Sequence, residues 1–167
     1  VVGKQNSGKD ALVDYLCEKH EFHKISTGDI VRDLADREGV AHTREKLQDV
    51  ASELISRRGE DYLAGMLIRR IEDYSWKRIG IPGLRTPVDV ETMRKRFGDE
   101  FILIAVTVED TEIRFRRGEE RGETRDADTY EEFRENDRTE ERLFNLSRTV
   151  EMADITIENS GTVDDFH

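Results

Sequence analysis

The sequence predicts an α/β fold in three layers, built on a parallel sheet with helices on both faces. Two observations carry this expectation. Short apolar runs alternate with helix-like segments along all 167 residues, the order that parallel strands joined by crossover helices require. Phe101-Ile102-Leu103-Ile104-Ala105-Val106 is apolar without alternation, as expected of a strand buried on both faces. The length fits a single domain, residues 1–167, with a substantial core. No internal repeat or low-complexity linker divides it.

Val1-Val2 reads as the end of an apolar strand, and Ala11 to Leu16 as the helix that follows it. His23 to Ser26 reads as a second strand. Thr27 is placed to cap a helix through Ile30, Val31 and Leu34, ending at Gly39. Thr43 caps the next, whose Leu47, Val50, Ala51, Leu54 and Ile55 keep helical spacing. Leu63, Met66, Leu67 and Ile71 mark another helix. Arg78 to Ile81 is a weak strand, and Thr86-Pro87 opens a helix that carries Val90, Met93 and Phe97 inward. After the strand at 101–106, residues 109–142 are highly charged and rich in arginine, with Thr129 and Glu132 spaced as a capping box. Asp154 to Ile157 is the last strand, followed by Asn159-Ser160-Gly161-Thr162.

Composition narrows the function. With 27 basic against 38 acidic residues the net charge is −11, which repels nucleic acid and anionic membranes at long range. No run is long enough to span a bilayer and no signal-peptide pattern opens the chain, so a cytoplasmic protein is expected. The single cysteine, Cys17, excludes an internal disulfide framework and suits a reducing compartment. Without a partner histidine pattern it reads as a space-filling thiol.

The most informative segment is Gly3-Lys4-Gln5-Asn6-Ser7-Gly8-Lys9-Asp10-Ala11, between the first strand and the first helix. Gly-x4-Gly-Lys in that context is a phosphate-binding loop. Its glycines let successive N–H groups turn toward an anion, and the helix adds its own unpaired donors. Lys9 supplies a mobile charge for the outermost phosphates. The usual Ser or Thr that binds Mg²⁺ is replaced by Asp10, which can reach the metal directly or through water.

Ser26-Thr27-Gly28-Asp29 with Arg32 stands at the end of the second strand, on the side where a parallel sheet gathers ligands. Asp29 would face the metal or the acceptor and Arg32 an acceptor phosphate, although Ser-Thr-Gly-Asp is also a good helix start. Arg85, after Gly83-Leu84, is a second guanidinium for that phosphate. Among the later arginines, many explained by helical ion pairs, Arg117, Arg121 and Arg125 lie in a stretch containing Gly118 and Gly122. This reads as a mobile lid, about 117–130, that brings cations onto a transferring phosphoryl group.

These motifs in this order resemble the nucleoside monophosphate kinase superfamily, nearest to the adenylate kinase-related and dephospho-CoA kinase-like predicted kinases. The likeness extends to the Asn159–Thr162 ending. It implies a P-loop kinase fold with a five-stranded parallel sheet and a small lid, ATP and Mg²⁺ as cofactors, and a small phosphorylated acceptor. That acceptor would be a nucleoside or deoxynucleoside monophosphate, with dephospho-CoA as the alternative. Ser160 and Gly161 would contact the base, while Gly3, Asn6, Ser7, Gly8, Lys9, Asp10 and Ala11 would hold ATP. Lys9, Arg117 and Arg121 would act in transfer, Asp10 and Asp29 on the metal, and Asp29, Arg32 and Arg85 on the acceptor. Many relatives carry an acid at the end of the third strand, where this chain has Pro82. That departure leaves open a regulator that binds ATP, hydrolyses it slowly and signals by lid closure.

Overall fold

A computed structural model describes residues 1–123, 126–161 and 166. Within them the chain alternates between helices and short strands. Helix α1 is Lys9–His20, strand β1 His23–Lys24, and helices α2, α3 and α4 are Thr27–Glu38, Arg44–Arg58 and Tyr62–Asp73. Strand β2 is Ile79–Gly80, helix α5 Pro87–Phe97 and strand β3 Ile104–Thr107. Helices α6, α7 and α8 span Thr111–Arg121, Tyr130–Phe144 and Leu146–Glu151, and strand β4 is Ile155–Glu158. Among the described residues no helix is long and apolar enough to cross a membrane.

Local chemistry sets most helix starts. The cap of α2 is Ser26 rather than Thr27, because Asp29 reaches back to the Ser26 backbone while the Ser26 hydroxyl accepts the Asp29 N–H, a complete capping box. Thr86 and Asp89 do the same for α5, with Pro87 in its first turn. Thr43 and Thr129 cap α3 and α7. Glu132, expected to complete the box at α7, accepts instead from the Asp128 N–H at 3.1 Å. Such caps each contribute on the order of 1 kcal/mol. Helix α1 differs: its cap is Gly8, with no side-chain bond to the first turn.

The strands pair in parallel as two two-stranded sheets, β1 with β2 and β3 with β4. Val1 and Val2 lie between them. The Val2 N–H donates to the Ile104 carbonyl at 2.8 Å and the Val106 N–H returns to Val2 at 2.9 Å. On the other side the Gly83 N–H donates to the Val1 carbonyl at 3.0 Å, and the Val1 nitrogen reaches the Ile81 carbonyl at 2.6 Å. The continuous five-stranded sheet expected from sequence is thus described as two strand pairs joined through two residues. Only Val2 is in register with a neighbouring strand, too short a contact to make a strand.

The apolar run at 101–106 is less uniformly buried than its sequence suggests. Leu103, Ala105 and Val106 are fully buried, whereas Ile102 is 59 % exposed. The ladder starts only at Ile104; before it, Leu103 is tied to Asp154 through its N–H at 2.7 Å. Around this centre α2, α4 and α5 supply Ile30, Leu67, Val90 and Met93 to a single core. Burying each such side chain stabilises the fold by roughly 1.5–3 kcal/mol.

The charged region from 109 to 142 folds as α6 and α7. Arg116 with Glu112 and Arg138 with Glu135 are surface pairs within one helix, at 2.7 and 3.3 Å, of the kind the sequence suggests. Arg114 is the exception. It is 1 % exposed, pairs with Asp137, donates to the Gln5 carbonyl at 3.2 Å and lies over the Phe133 ring.

Candidate functional site

The carboxyl ends of the strands open onto a cleft of about 560 Å³. Its floor is the loop before α1. Asn6 and Gly8 have left-handed backbone angles, φ 57° and 101°, which turn neighbouring N–H groups to one side. A side chain at Gly8 is excluded, since a Cβ there would lie 2.3 Å from Asn159 Nδ2. That amide donates to the Ser7 carbonyl at 2.9 Å and holds the loop from behind. Gln5 Nε2 donates to the Phe133 carbonyl at 3.0 Å, and Asn6 Nδ2 to the Arg114 carbonyl at 3.0 Å. The loop is therefore braced by α6, α7 and the end of β4 before any anion arrives. With no side-chain cap on α1, its first N–H groups remain as donors at the cleft.

Lys9 lines the cleft, and its ammonium donates to the Lys4 carbonyl at 3.0 Å. Burial pushes its pKa down to about 8, with the charges of Glu140 and Asp10 pulling the other way. An ammonium in that state gains most from a phosphate. Asp10 is 3.0 Å from Lys24 at the end of β1, and Lys24 also bonds Asp14 at 3.0 Å. Burial lowers the Lys24 pKa, but these two acids outweigh it and hold the ammonium above its usual range.

Asp29 has both oxygens engaged: one accepts from the Ser26 N–H and hydroxyl at 2.9 and 2.8 Å, the other from Arg32 at 2.6 Å. Burial would raise this carboxyl, yet those bonds hold it below its ordinary value. Arg85 meets Glu140 of α7 at 2.9 Å, and Arg44, the first residue of α3, meets the same oxygen at 3.0 Å. Glu140 is 7 % exposed. Burial raises its carboxyl, and Arg85, Arg44 and Lys9 together bring it below the usual range.

Arg117 and Arg121 also line the cleft, from the second half of α6. Arg117 donates to the Asn159 and Gly161 carbonyls at 2.9 and 3.4 Å, and its Nη1 is buried with no hydrogen-bond partner among the described residues. Arg121 donates to Asn6 Oδ1 at 3.0 Å and pairs with Asp126, whose hydrogen bond raises its pKa. The two glycines expected to loosen this stretch have structural tasks. A Cβ on Gly118 would come 2.6 Å from Asn6 Nδ2, and Gly122 ends α6 in a left-handed conformation. Arg125 and Thr162 lie outside the described residues.

Eleven of the sequence-predicted site residues thus converge on one cleft: Gly3, Asn6, Gly8, Lys9, Asp10, Ala11, Asp29, Arg32, Arg85, Arg117 and Arg121. Ser7 is buried beneath the loop, and its hydroxyl has no partner among the described residues. Ser160 is exposed and bonds Glu158 at 3.0 Å, and Gly161 meets the site only through its carbonyl and Arg117. Sequence reading missed Lys24, Arg44 and Glu140. Lys24 ends a strand, as Asp29 follows one, and could have been found by that position. Arg44 and Glu140 are 96 residues apart, and no spacing signal connects them.

The loop's turned N–H groups, the uncapped α1 and Lys9 fit a nucleotide's phosphates. Among the described residues no group of three or more metal-ligating side chains is brought together. Mg²⁺ beside a nucleotide needs only one or two carboxylates, since phosphates and waters complete its shell. Asp10 fits that requirement better than Asp29, whose oxygens serve the α2 cap and Arg32.

A phosphate-binding loop between strand and helix, at the carboxyl end of parallel strands, defines a P-loop nucleotide-binding protein. A family model described as an AAA domain matches residues 2–134. A UPF0200/UPF0201 protein of Archaeoglobus fulgidus is 36 % identical over 167 residues, 99 % of this chain and 51 % of its own length. UPF0200 proteins of Thermococcus gammatolerans and Methanosarcina barkeri are each 31 % identical, the alignments taking in 99 % of this chain and 87 % of theirs. The chain belongs to the UPF0200 proteins and carries an AAA-type P-loop domain. It spans about half the length of the Archaeoglobus relative.

Proposed function

We propose that the protein is an ATP-dependent phosphotransferase that moves the γ-phosphoryl group onto a small phosphorylated acceptor, a nucleoside or deoxynucleoside monophosphate. The observation that carries this reading is the cleft itself. The phosphate loop and Lys9 share it with Arg32, Arg44 and Arg85, and Arg117 and Arg121 line it too, Arg121 bonded to Asn6 of the loop at 3.0 Å. A nucleotide-hydrolysing switch needs the loop and Lys9, but not three further guanidiniums in the same cleft. The bonds through Val1 and Val2 support reading the strand pairs as one parallel sheet, in the spatial order β1, β2, Val1–Val2, β3, β4.

In this reading the loop N–H groups and Lys9 hold the donor's outer phosphates, and Asp10 holds Mg²⁺. Bound Mg²⁺ would neutralise charge building on the phosphate oxygens. Arg85 and Arg32, joined by Arg44, grip the acceptor's phosphate as planar forks. Arg117 and Arg121 place positive charge on the transferring group, and the braced loop keeps donor and acceptor in line. No strong base is required, because the transition state is loose and positioning supplies most of the acceleration.

Pro82 lines the cleft where many kinases of the resembled superfamily carry an acid, and this favours a second reading: a slow ATPase that signals through α6 and the segment after it. One experiment separates the two. The protein is incubated with ATP, Mg²⁺ and a panel of nucleoside monophosphates and dephospho-CoA, and ADP formation is followed. Acceptor-dependent ADP supports transfer; ADP formed at one slow rate whatever the acceptor overturns it.

A further inference from the structure

Beside the cleft, and opening into it, lies a smaller pocket of about 100 Å³ among α2, α3 and α4. The two share Thr27, Gly28, Arg32, Arg44, Arg85 and Phe144, which form the mouth between them. Beyond the mouth the wall is apolar: Val31, Leu47, Ala51, Ile55 and Leu63. Three polar side chains stand out against it, Gln48, Asp89 and Thr86, the last accepting the Asp89 N–H at 3.0 Å as part of the α5 cap. Asp89 has a structural task, accepting the Arg85 and Thr86 N–H groups at 3.2 and 3.0 Å as the cap of α5. Gln48 has none: its Nε2 is buried and has no hydrogen-bond partner among the described residues.

An amide N–H buried without a partner costs about 1–3 kcal/mol, and such groups in native structures call for an explanation. Here the orphan stands in the wall of an apolar pocket with three guanidiniums at the entrance. We propose that the pocket holds the non-phosphate end of the acceptor, that this end is a single six-membered ring bearing a carbonyl oxygen, and that Gln48 selects it. The acceptor is then a pyrimidine nucleoside monophosphate; this rests on the phosphotransferase reading above. Size decides the ring. An enclosed apolar cavity of about 150 Å³ takes one benzene ring, so a pocket of about 100 Å³ open at one end is filled by one ring and refuses a fused purine. Chemistry decides the edge. Gln48 Nε2 offers a hydrogen to a ring carbonyl, while the apolar wall covers the ring faces. The phosphate is left at the mouth, at Arg32, Arg44 and Arg85.

The test is direct binding to the full chain by titration calorimetry, without ATP, using CMP, UMP, AMP and ribose 5-phosphate. CMP and UMP are expected to bind at least about tenfold more tightly than AMP, the equivalent of about 1.4 kcal/mol. Gln48→Leu, close in shape and apolar, should weaken CMP and UMP about fivefold to tenfold and leave ribose 5-phosphate unchanged. Gln48→Glu, which presents acceptors only, should weaken them further. Arg85→Ala should weaken all four. AMP binding as tightly as CMP overturns the ring assignment, and a CMP-to-ribose-5-phosphate ratio unmoved in both folded Gln48 variants overturns the role of Gln48. If ATP binds and none of the four does, the acceptor site falls together with the reading it rests on. Selective CMP binding without ADP formation from any acceptor overturns transfer alone and upholds the pocket.

Discussion

At the scale of single residues, two lysines govern how the cleft meets its ligands. Lys9 is held down to about pKa 8 by burial, below its unfolded value, so below pH 8 the folded protein bears the cost of a partly desolvated ammonium. As pH rises from about 8 toward 10.5 the unfolded chain holds a proton that the folded chain has released, and stability rises across that window. A phosphate beside Lys9 reverses the shift. ATP binding near pH 8 should therefore take up a fraction of a proton, seen as a calorimetric enthalpy that varies with the buffer's ionisation enthalpy. Lys9→Ala should remove that dependence and weaken ATP at least about tenfold, through loss of a charge-assisted bond; a variant with unchanged affinity would dismiss the loop as the phosphate site. In the proposed reading Lys24 acts on the metal through Asp10, its partner at 3.0 Å. Lys24→Met should remove one competing cation from that carboxylate and lower the Mg²⁺ needed for half-maximal ATP binding several-fold, whereas Asp10→Asn should raise it. Identical magnesium titrations in both variants and the parent would reduce Asp10 to a surface charge.

At the scale of elements, α6 is the strut between the phosphate loop and α7. Its Arg114 pairs with Asp137, bonds the Gln5 carbonyl and accepts Asn6 on its own carbonyl. Removing one partner of a buried pair leaves the other charge without compensation, at about 3–5 kcal/mol. Asp137→Ala should thus lower stability by about that much in urea unfolding, and Arg114→Leu with Asp137→Leu should recover part of it. If Asp137→Ala costs no more than a surface ion pair, the strut is not rigid. Helix α6 also marks how far sequence carries. The loop, the Ser26–Asp29 turn and the Thr86-Pro87 start were legible because each is local chemistry, a cap or a glycine within a few residues. The arginines of α6 were legible only as a kind, since helical spacing matches Arg116 to Glu112 but cannot tell that Arg114 is buried. The reason is tertiary: Arg114 turns inward to satisfy Asp137, Gln5 and Phe133, which reach it from other parts of the chain. Gly118 misled for the same reason, as its missing Cβ makes room for Asn6, a neighbour 112 positions earlier in the sequence. Ile102 shows the limit for strands, where apolarity alone did not reveal that pairing begins two residues later.

At the scale of the whole molecule, an acidic chain of net charge −11 places seven of its 27 lysines and arginines on one cleft and supplies most of those seven with an acid. Arg32 has Asp29, Arg44 and Arg85 share Glu140, Lys24 has Asp10 and Asp14, and Arg121 has Asp126. Capture of an anion by bare cations would weaken steeply with added salt, because screening removes a long-range attraction. Here an incoming phosphate meets guanidiniums that already have partners. The Kd of ribose 5-phosphate should therefore change little from low to physiological ionic strength in the parent protein, and become tighter and more salt-sensitive in Glu140→Gln. A steep salt dependence in the parent would mean that Glu140 does not hold these arginines in solution. The shared Glu140 carries a consequence of its own. On the proposed reading the cleft would act as an ion exchanger loaded with its own counterions, in which a phosphate arriving at Arg44 and Arg85 displaces a tethered carboxylate that cannot diffuse away. On the phosphotransferase reading, a displaced Glu140 remains on α7 as a rebound competitor that would hasten the departure of a phosphorylated product.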